Sequence, residues 1–201
     1  MDNFKPLTAL GHDAPETVTI GPYTITERDD TALASLATRR NRSADVNRAA
    51  AAAGIPLPLP GHAETVSLAA FWLAPDHWMI EAPFATHENI RQHLLAIFGD
   101  AASITEQTDA WVRFDLTAPD LPNLMERLTN TDLRTTAVNT ASRTVIDHLG
   151  CYLIKRSATE ITLYGPRSSA QSLHHALTVT ARSLLSPDPA RPRLQAKVVS
   201  L

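Results

Sequence analysis

The chain has 201 residues, of which 18 are basic and 21 acidic, so its formal net charge is -3 at pH 7. This length predicts a sizeable hydrophobic core, and the nearly balanced charge argues against a nucleic-acid partner. The single cysteine, Cys151, excludes an internal disulfide and any CxxC metal or redox motif, so we expect a reducing compartment such as the cytoplasm.

Other features of the composition limit the possible functions further. The first residues, MDNFKPLTAL, place an acidic residue where a signal peptide needs positive charge and lack its unbroken apolar core. No apolar run approaches the ~20 residues of a membrane helix, so we expect neither a targeting segment nor a membrane span. The two closest glycines, Gly54 and Gly61, are too far apart for GxGxxG or a P-loop, which predicts no flavin, NAD or ATP site. Charged residues make up only 19% of the chain, which favours a subunit of an assembly.

The N-terminal segment predicts two short strands around a turn. Val18 and Ile20 alternate with polar residues before Gly21, and Tyr23 and Ile25 do so after it. This pattern is typical of a small hairpin.

A helix and a proline-rich connector come next. Residues 33–42 suit either a helix or a strand, whereas residues 44–53 are helical by propensity and end at Gly54. The following prolines form an extended connector that cannot enter the interior of a sheet. We therefore divide the chain into an N-terminal segment, residues 1–64, and a main α+β part, residues 65–185, which together form one continuous domain.

The main part opens with a hairpin and a helix. Residues 66–73 and 78–82 are apolar runs separated by the turn-forming sequence Ala-Pro-Asp-His. Thr86 is positioned to cap a helix over residues 87–98, which Gly99 ends.

A second strand and helix follow. In residues 110–116, AWVRFDL, every second side chain is apolar, namely Val112, Phe114 and Leu116, which indicates a strand with one buried face. Residues 121–128 carry leucines and a methionine at helical spacing and predict a helix.

The last unit repeats the hairpin-plus-helix arrangement. Residues 151–156 and 160–164 predict a hairpin, and residues 168–185 predict a helix with a leucine stripe. The tail, residues 186–201, is rich in proline and is predicted to be irregular. These elements predict an α+β fold with an antiparallel or mixed sheet, helices packed on one face and ferredoxin-like parts.

Cys151 and His148 are the one cysteine-histidine pair that lies close in sequence. In a continuous strand their odd separation puts the side chains on opposite faces, which argues against a nucleophile and its base. Gly150 between them leaves room for a bend, so this argument is not decisive. We interpret Cys151 as a buried structural residue.

The histidine pairs do not predict a metal site. His174 and His175 are neighbours on one helix and diverge by about 100°, and His87 and His93 are six positions apart. We interpret these histidines as surface or capping residues.

Two further polar groups have both a structural and a functional interpretation. Ser168 and Ser169, next to Arg167 at a strand-to-helix junction, fit either a helix cap or an anion site, and we favour the cap. Glu106 and Asp109 precede a strand and could form an acidic pair, but no matching acid or base is visible, so we assign no catalytic residue.

The tryptophans give the best indication of a partner. Trp111 shares the polar face of its strand with Arg113, while Trp72 and Trp78 flank the turn of the first hairpin. Core packing explains any one of them, yet tryptophan and arginine are the usual anchors of protein interfaces. Trp72, Trp78, Trp111 and Arg113 are therefore our candidate interface residues.

Several stretches together resemble the gamma subunit of bacterial heterotetrameric sarcosine oxidase. The resemblance covers most of the chain from about residue 7 to residue 185, and is poor over residues 43–63 and the tail. The matching stretches are LASLATRRNR, FWLAPDHWMIEAPF, TEQTDAWVRFDL, LTNTDLR, RTVIDHLGCYLI and LYGPRSSAQSLHHAL.

This resemblance implies a role in sarcosine catabolism within an assembly of four different chains. Such an enzyme oxidatively demethylates sarcosine to glycine and hydrogen peroxide, and tetrahydrofolate can capture the one-carbon unit as methylenetetrahydrofolate. FAD, FMN, NAD and tetrahydrofolate are implied for the partner subunits and no cofactor for this chain. The implied fold is similar to the tetrahydrofolate-binding domain of the glycine-cleavage aminomethyltransferase.

The leading hypothesis is a non-catalytic structural subunit whose partners are the larger alpha and beta chains and the small delta chain, without nucleic acid, membrane or metal. The second is a small module that binds tetrahydrofolate or another pterin, with Glu106 or Asp109 contacting the pterin ring. The third, a stand-alone hydrolase or transferase using Cys151 or Ser168, has little support because no nucleophile and base can be paired.

Overall fold

The computed structural model describes residues 5–65 and 68–185 and has the predicted α+β class. The predicted tail, residues 186–201, and the first residues of the predicted strand over residues 66–73 lie outside the described residues. The strands are β1 (Thr17–Ile20), β2 (Tyr23–Arg28), β3 (Thr31–Thr38), β4 (Ala63–Thr65), β5 (Ala69–Ala74), β6 (His77–Pro83), β7 (Ala102–Glu106), β8 (Trp111–Thr117), β9 (Ala141–Ile146), β10 (Leu149–Lys155) and β11 (Glu160–Pro166). The α-helices are α1 (Ser43–Ala53), α2 (Phe84–His87), α3 (Ile90–Phe98), α4 (Leu121–Met125) and α5 (Ala170–Leu185).

The strands divide between two antiparallel sheets. Sheet A has the order β1-β2-β8-β11-β10-β9, and sheet B has the order β4-β5-β6-β3-β7. The chain crosses between the sheets more than once, since β2 pairs with β8 while β3 pairs with β6. The N-terminal strands are thus built into both sheets.

Each sheet buries one face against helices. Core A lies between sheet A and helices α4 and α5, and core B lies between sheet B and helices α1 and α3. The other faces of the two sheets meet in an inter-sheet layer, where Phe71 of sheet B stacks on Tyr164 of sheet A with ring centroids 5.5 Å apart. The fold therefore has four layers, with a helical layer outside each sheet.

Because successive side chains of a strand point to opposite faces, each sheet contributes side chains to two layers. In β8, Val112, Phe114 and Leu116 are buried in core A, so the intervening Trp111, Arg113 and Asp115 face the inter-sheet layer. The alternation predicted for this strand is confirmed. By the same rule, Thr162 and Pro166, which lie two residues before and after Tyr164 in β11, face the inter-sheet layer.

Most predicted local elements are confirmed, with corrections at their ends. Gly54 ends α1 in the left-handed conformation with φ 66°, as expected of a C-terminal glycine. The helix predicted over residues 87–98 is two helices, α2 and α3, and Thr86 is inside α2, where its hydroxyl donates to the Pro83 carbonyl instead of capping. The helix predicted over residues 121–128 ends at Met125.

Three strands were not predicted, namely β4, β7 and β9. All three lie at sheet edges and carry polar side chains at exposed positions, although β9 also exposes Val145. Residues 33–42, which suited a helix or a strand, form most of β3 and the turn after it. Within residues 5–65 and 68–185, no helix is both long enough and apolar enough to cross a bilayer.

Candidate functional site

The inter-sheet layer contains a buried ionic group at one end. We call it the ion cluster, and it consists of Glu81, Arg113, Asp115, Arg156, Thr162 and Tyr164. The other end of the layer is apolar and is formed mainly by Leu33, Phe71, Met79 and Ile154. Because buried ion pairs contribute little net stability, this cluster is the candidate functional site.

Glu81 is the most deeply buried carboxylate of the cluster, with 4% of its surface exposed. It interrupts the otherwise apolar strand β6, where Ile80 and Ala82 face core B and Glu81 therefore faces the opposite layer. Arg156 donates from Nη2 to both carboxylate oxygens, at 3.0 and 3.1 Å. The hydroxyl of Tyr164 donates to Oε1 of the same carboxylate. Both sheets are thus joined through one carboxylate.

Tyr164 is 1% exposed, and its position fixes the state of its hydroxyl. Burial raises the pKa of Tyr164 well above its usual value, and the neighbouring Glu81 carboxylate raises it further. The hydroxyl therefore stays protonated at neutral pH and donates to Glu81.

A second ion pair lies beside the first. Arg113 donates from Nε and Nη2 to the two oxygens of Asp115, at 3.0 and 2.8 Å. Thr162 connects the pairs, because its hydroxyl donates to Asp115 at 2.8 Å and accepts from Nε of Arg156 at 3.1 Å. The result is one continuous network from Arg113 to Tyr164.

Two cavities open beside this network. The first has a volume of about 570 Å³, and the second a volume of about 490 Å³. They share four lining residues, namely Arg28, Asp30, Thr31 and Arg113. The first cavity also contacts Glu81 and Arg156, so the ion cluster forms part of its wall. Pockets of this size with a few polar groups are typical of small-molecule sites.

The candidate interface residues lie on two sides of sheet B. Trp72 and Trp78 are cross-strand partners that pack on core B, and Trp78, 9% exposed, donates from Nε1 to the Pro58 carbonyl at 2.9 Å. Trp111 is half-buried in the inter-sheet layer, where its ring lies 5.4 Å from that of Tyr152. Arg113 belongs to the ion cluster. The structure therefore brings Trp111 and Arg113 together but not the other two, and an interface role for the four stays a prediction.

Cys151 faces core A and is fully buried. Burial raises the pKa of its thiol to about 11, so the reactive thiolate is scarce at neutral pH. His148 is outside the strand, in the β9–β10 turn with φ 65°, and is exposed. This arrangement suits a structural cysteine.

Of the remaining candidates, His87, His93 and Glu106 make local contacts. The rings of His87 and His93 touch edge to face at 5.0 Å, but no group of three metal-binding side chains occurs in the part of the chain that the structure describes. A 3-10 turn, Arg167–Ser169, precedes α5, and no side-chain hydrogen bond caps it, so the cap favoured for Ser168 and Ser169 is not formed at this turn. Glu106 accepts from the backbone and hydroxyl of Thr108.

The sequence reasoning missed Glu81 and Arg156, the centre of the site. One signal was present, because a glutamate inside the apolar run WMIEAP is unusual in a buried strand. Nothing in the sequence indicated its partner, which is 75 residues away along the chain.

Comparisons with known proteins place this geometry on a known fold. No family model and no curated protein matches the chain. Among solved structures, it is similar to a chain of heterotetrameric sarcosine oxidase from Corynebacterium sp. U-96, solved in complex with pyrrole 2-carboxylate, with 20% identity over 87% of this chain and 91% of that chain and a TM-score of 0.74. It is also similar to the glycine cleavage system aminomethyltransferase T of Bartonella henselae, with 13% identity over 78% of this chain and 48% of that chain and a TM-score of 0.55. The chain thus shares its fold with both proteins and spans about half the length of the second.

Proposed function

We propose that this chain is a non-catalytic, gamma-type subunit of a heterotetrameric sarcosine oxidase in the cytoplasm. The observation that carries the proposal is the end-to-end structural likeness to one chain of such an enzyme, which covers 87% of this chain and 91% of that one. The resemblance of the sequence points to the same family. In the aminomethyltransferase the same fold is only about half of a longer chain.

The side chains of this chain support a structural role within that assembly. Its one cysteine is buried with a raised pKa, and the charges of the ion cluster are paired with one another. In this proposal the flavin, NAD and folate chemistry of sarcosine demethylation belongs to the larger partner subunits, as the resemblance of the sequence implies. This chain contributes a rigid four-layer scaffold on which they assemble.

The docking surface in this proposal includes Trp111, which is half-buried and contacts the ring of Tyr152. An aromatic side chain that is partly exposed on a rigid sheet is a typical interface anchor. Trp72, also half-buried but packed on core B, is a matched control because it lies on the far side of sheet B.

The test is co-expression of this chain with the alpha, beta and delta subunits, followed by purification through a tag on the beta subunit. We expect Trp111→Ala to reduce the amount of this chain that is recovered at least about tenfold, and Trp72→Ala to leave it nearly unchanged. Equal recovery of both variants would exclude Trp111 from the interface. Failure of the unaltered chain to co-purify would contradict the proposed function itself.

One observation favours a second candidate, a module that binds tetrahydrofolate or a related pterin. The second cavity is lined by Trp111 and by Asp109, whose carboxylate makes no hydrogen bond within the described residues. Asp109 is thus available to a ring donor, whereas Glu106 is engaged by Thr108. Anaerobic calorimetric titration of the purified chain with tetrahydrofolate tests this candidate, since saturable binding near one equivalent supports it and absence of heat excludes it.

A further inference from the structure

Two arginines lie directly opposite each other at the edge of the inter-sheet layer. Arg28 of β2 and Arg113 of β8 are cross-strand partners. Like charges in this position destabilise a sheet unless they are compensated. Each has its own carboxylate, because Asp30 accepts from Nε and Nη2 of Arg28, and Asp115 accepts from Nε and Nη2 of Arg113.

Each arginine binds its carboxylate through Nε and Nη2, which leaves its third nitrogen, Nη1, outside the ion pair. Nη1 of Arg113 donates only to the hydroxyl of Thr31, at 3.0 Å, and Nη1 of Arg28 has no hydrogen bond within the described residues. Both arginines line the first cavity. Arg156 lines it as well, and its Nη1 makes one long contact of 3.5 Å with the hydroxyl of Thr65.

The far end of the same cavity offers groups of a different kind. Glu160 and Asn139 line it, and neither side chain makes a hydrogen bond within the described residues. Glu160 is opposite Thr117, four residues along β8 from Arg113, which corresponds to about 13 Å along the strand. This separation keeps the free carboxylate away from the paired arginines.

We propose that the first cavity binds a small molecule through an oxyanion group, either a carboxylate or a phosphate. Nη1 of Arg28 and Nη1 of Arg113 clamp the oxyanion from two neighbouring strands, and donor groups of the ligand reach Glu160 and Asn139. Guanidinium pairs are well suited to such planar recognition of oxyanions. The volume of about 570 Å³ lies within the range of small-molecule sites. This site goes beyond the proposed function and does not depend on it.

The test is calorimetric titration of the full chain with inorganic phosphate and with succinate, at equal low ionic strength. We expect saturable binding of at least one of them. Arg28→Gln should weaken it at least about tenfold, the loss expected for one charge-assisted hydrogen bond. Asp30→Asn should strengthen it, because it frees the remaining edge of Arg28.

Arg143→Gln is the matched control, since Arg143 is an exposed arginine on β9 and does not line the first cavity. Phosphate binding that responds to Arg28 would support a phosphorylated ligand, and succinate binding that does so would support a carboxylate. Absence of binding for both probes, or equal weakening by Arg28→Gln and Arg143→Gln, would overturn the proposal. Arg28 is exposed, and unchanged thermal midpoints of the variants verify that they fold.

Discussion

The outer cores and the inter-sheet layer of this protein are built in different ways. Core A and core B are each closed by helices, and their strands contribute aliphatic and aromatic side chains. The inter-sheet layer lies between the two sheets and is apolar at one end but ionic at the other, where Glu81 and Tyr164 are almost completely buried. The outer cores therefore supply most of the apolar burial that stabilises the fold, while the ionic end of the inter-sheet layer borders the two cavities.

The largest effect is expected in core A, from Phe114→Ala. Phe114 is fully buried and stacks on His174 with ring centroids 5.7 Å apart. Deleting the ring should lower the free energy of unfolding by about 4 kcal/mol, through lost burial and the cavity left behind. Urea unfolding followed by circular dichroism measures it, and a loss below about 1 kcal/mol would contradict the assignment of the fold's stability to the outer cores.

Glu81→Ala should lower the free energy of unfolding slightly less than Phe114→Ala does. Unlike the loss in core A, this loss should shrink when the partner Arg156 is replaced as well. The single change leaves the largely buried Arg156 without its carboxylate and should cost about 3 kcal/mol. Combining Glu81→Met with Arg156→Met removes both charges and should recover at least half of this loss. If the double variant instead shows the sum of two single losses, the ion cluster stabilises the fold in the same way as the cores.

Tyr164→Phe isolates one hydrogen bond of the cluster. The ring stays in place against Phe71, but the carboxylate of Glu81 loses the hydroxyl donor. A bond to a buried charged group should cost about 2 kcal/mol. Because the pKa of Tyr164 is raised well above its usual value, the loss should be the same from pH 6 to pH 9 in parallel unfolding experiments. A loss that disappears towards pH 9 would mean that the hydroxyl ionises in the folded protein.

The smallest effect is expected for Arg28→Gln, at the exposed rim of the inter-sheet layer. The side chains of Arg28 and Asp30 are 42% and 52% exposed, so solvent screens their ion pair. The change should alter the free energy of unfolding by less than about 1 kcal/mol. A larger loss would indicate that the rim, and not only the buried part of the cluster, stabilises the contact between the sheets.

The sequence predicted the features that depend on local signals. The hairpin of β10 and β11, the helix α1 ended by Gly54 and the buried face of β8 all follow from periodicity and turn residues within a short window. The division into two sheets could not be predicted, because β2 pairs with β8 across a long stretch of chain. The ion cluster was hidden for the same reason, since Glu81 and Arg156 meet only in the folded protein.

The most direct test of the proposed role is the mass, by light scattering, of the particle that forms when this chain is co-expressed with the alpha, beta and delta subunits of sarcosine oxidase. We expect a single species that contains all four chains, and a lighter species without this chain when it is omitted. If this chain instead elutes alone at its own mass of 21.9 kDa while the other three assemble without it, it is not a subunit of that enzyme.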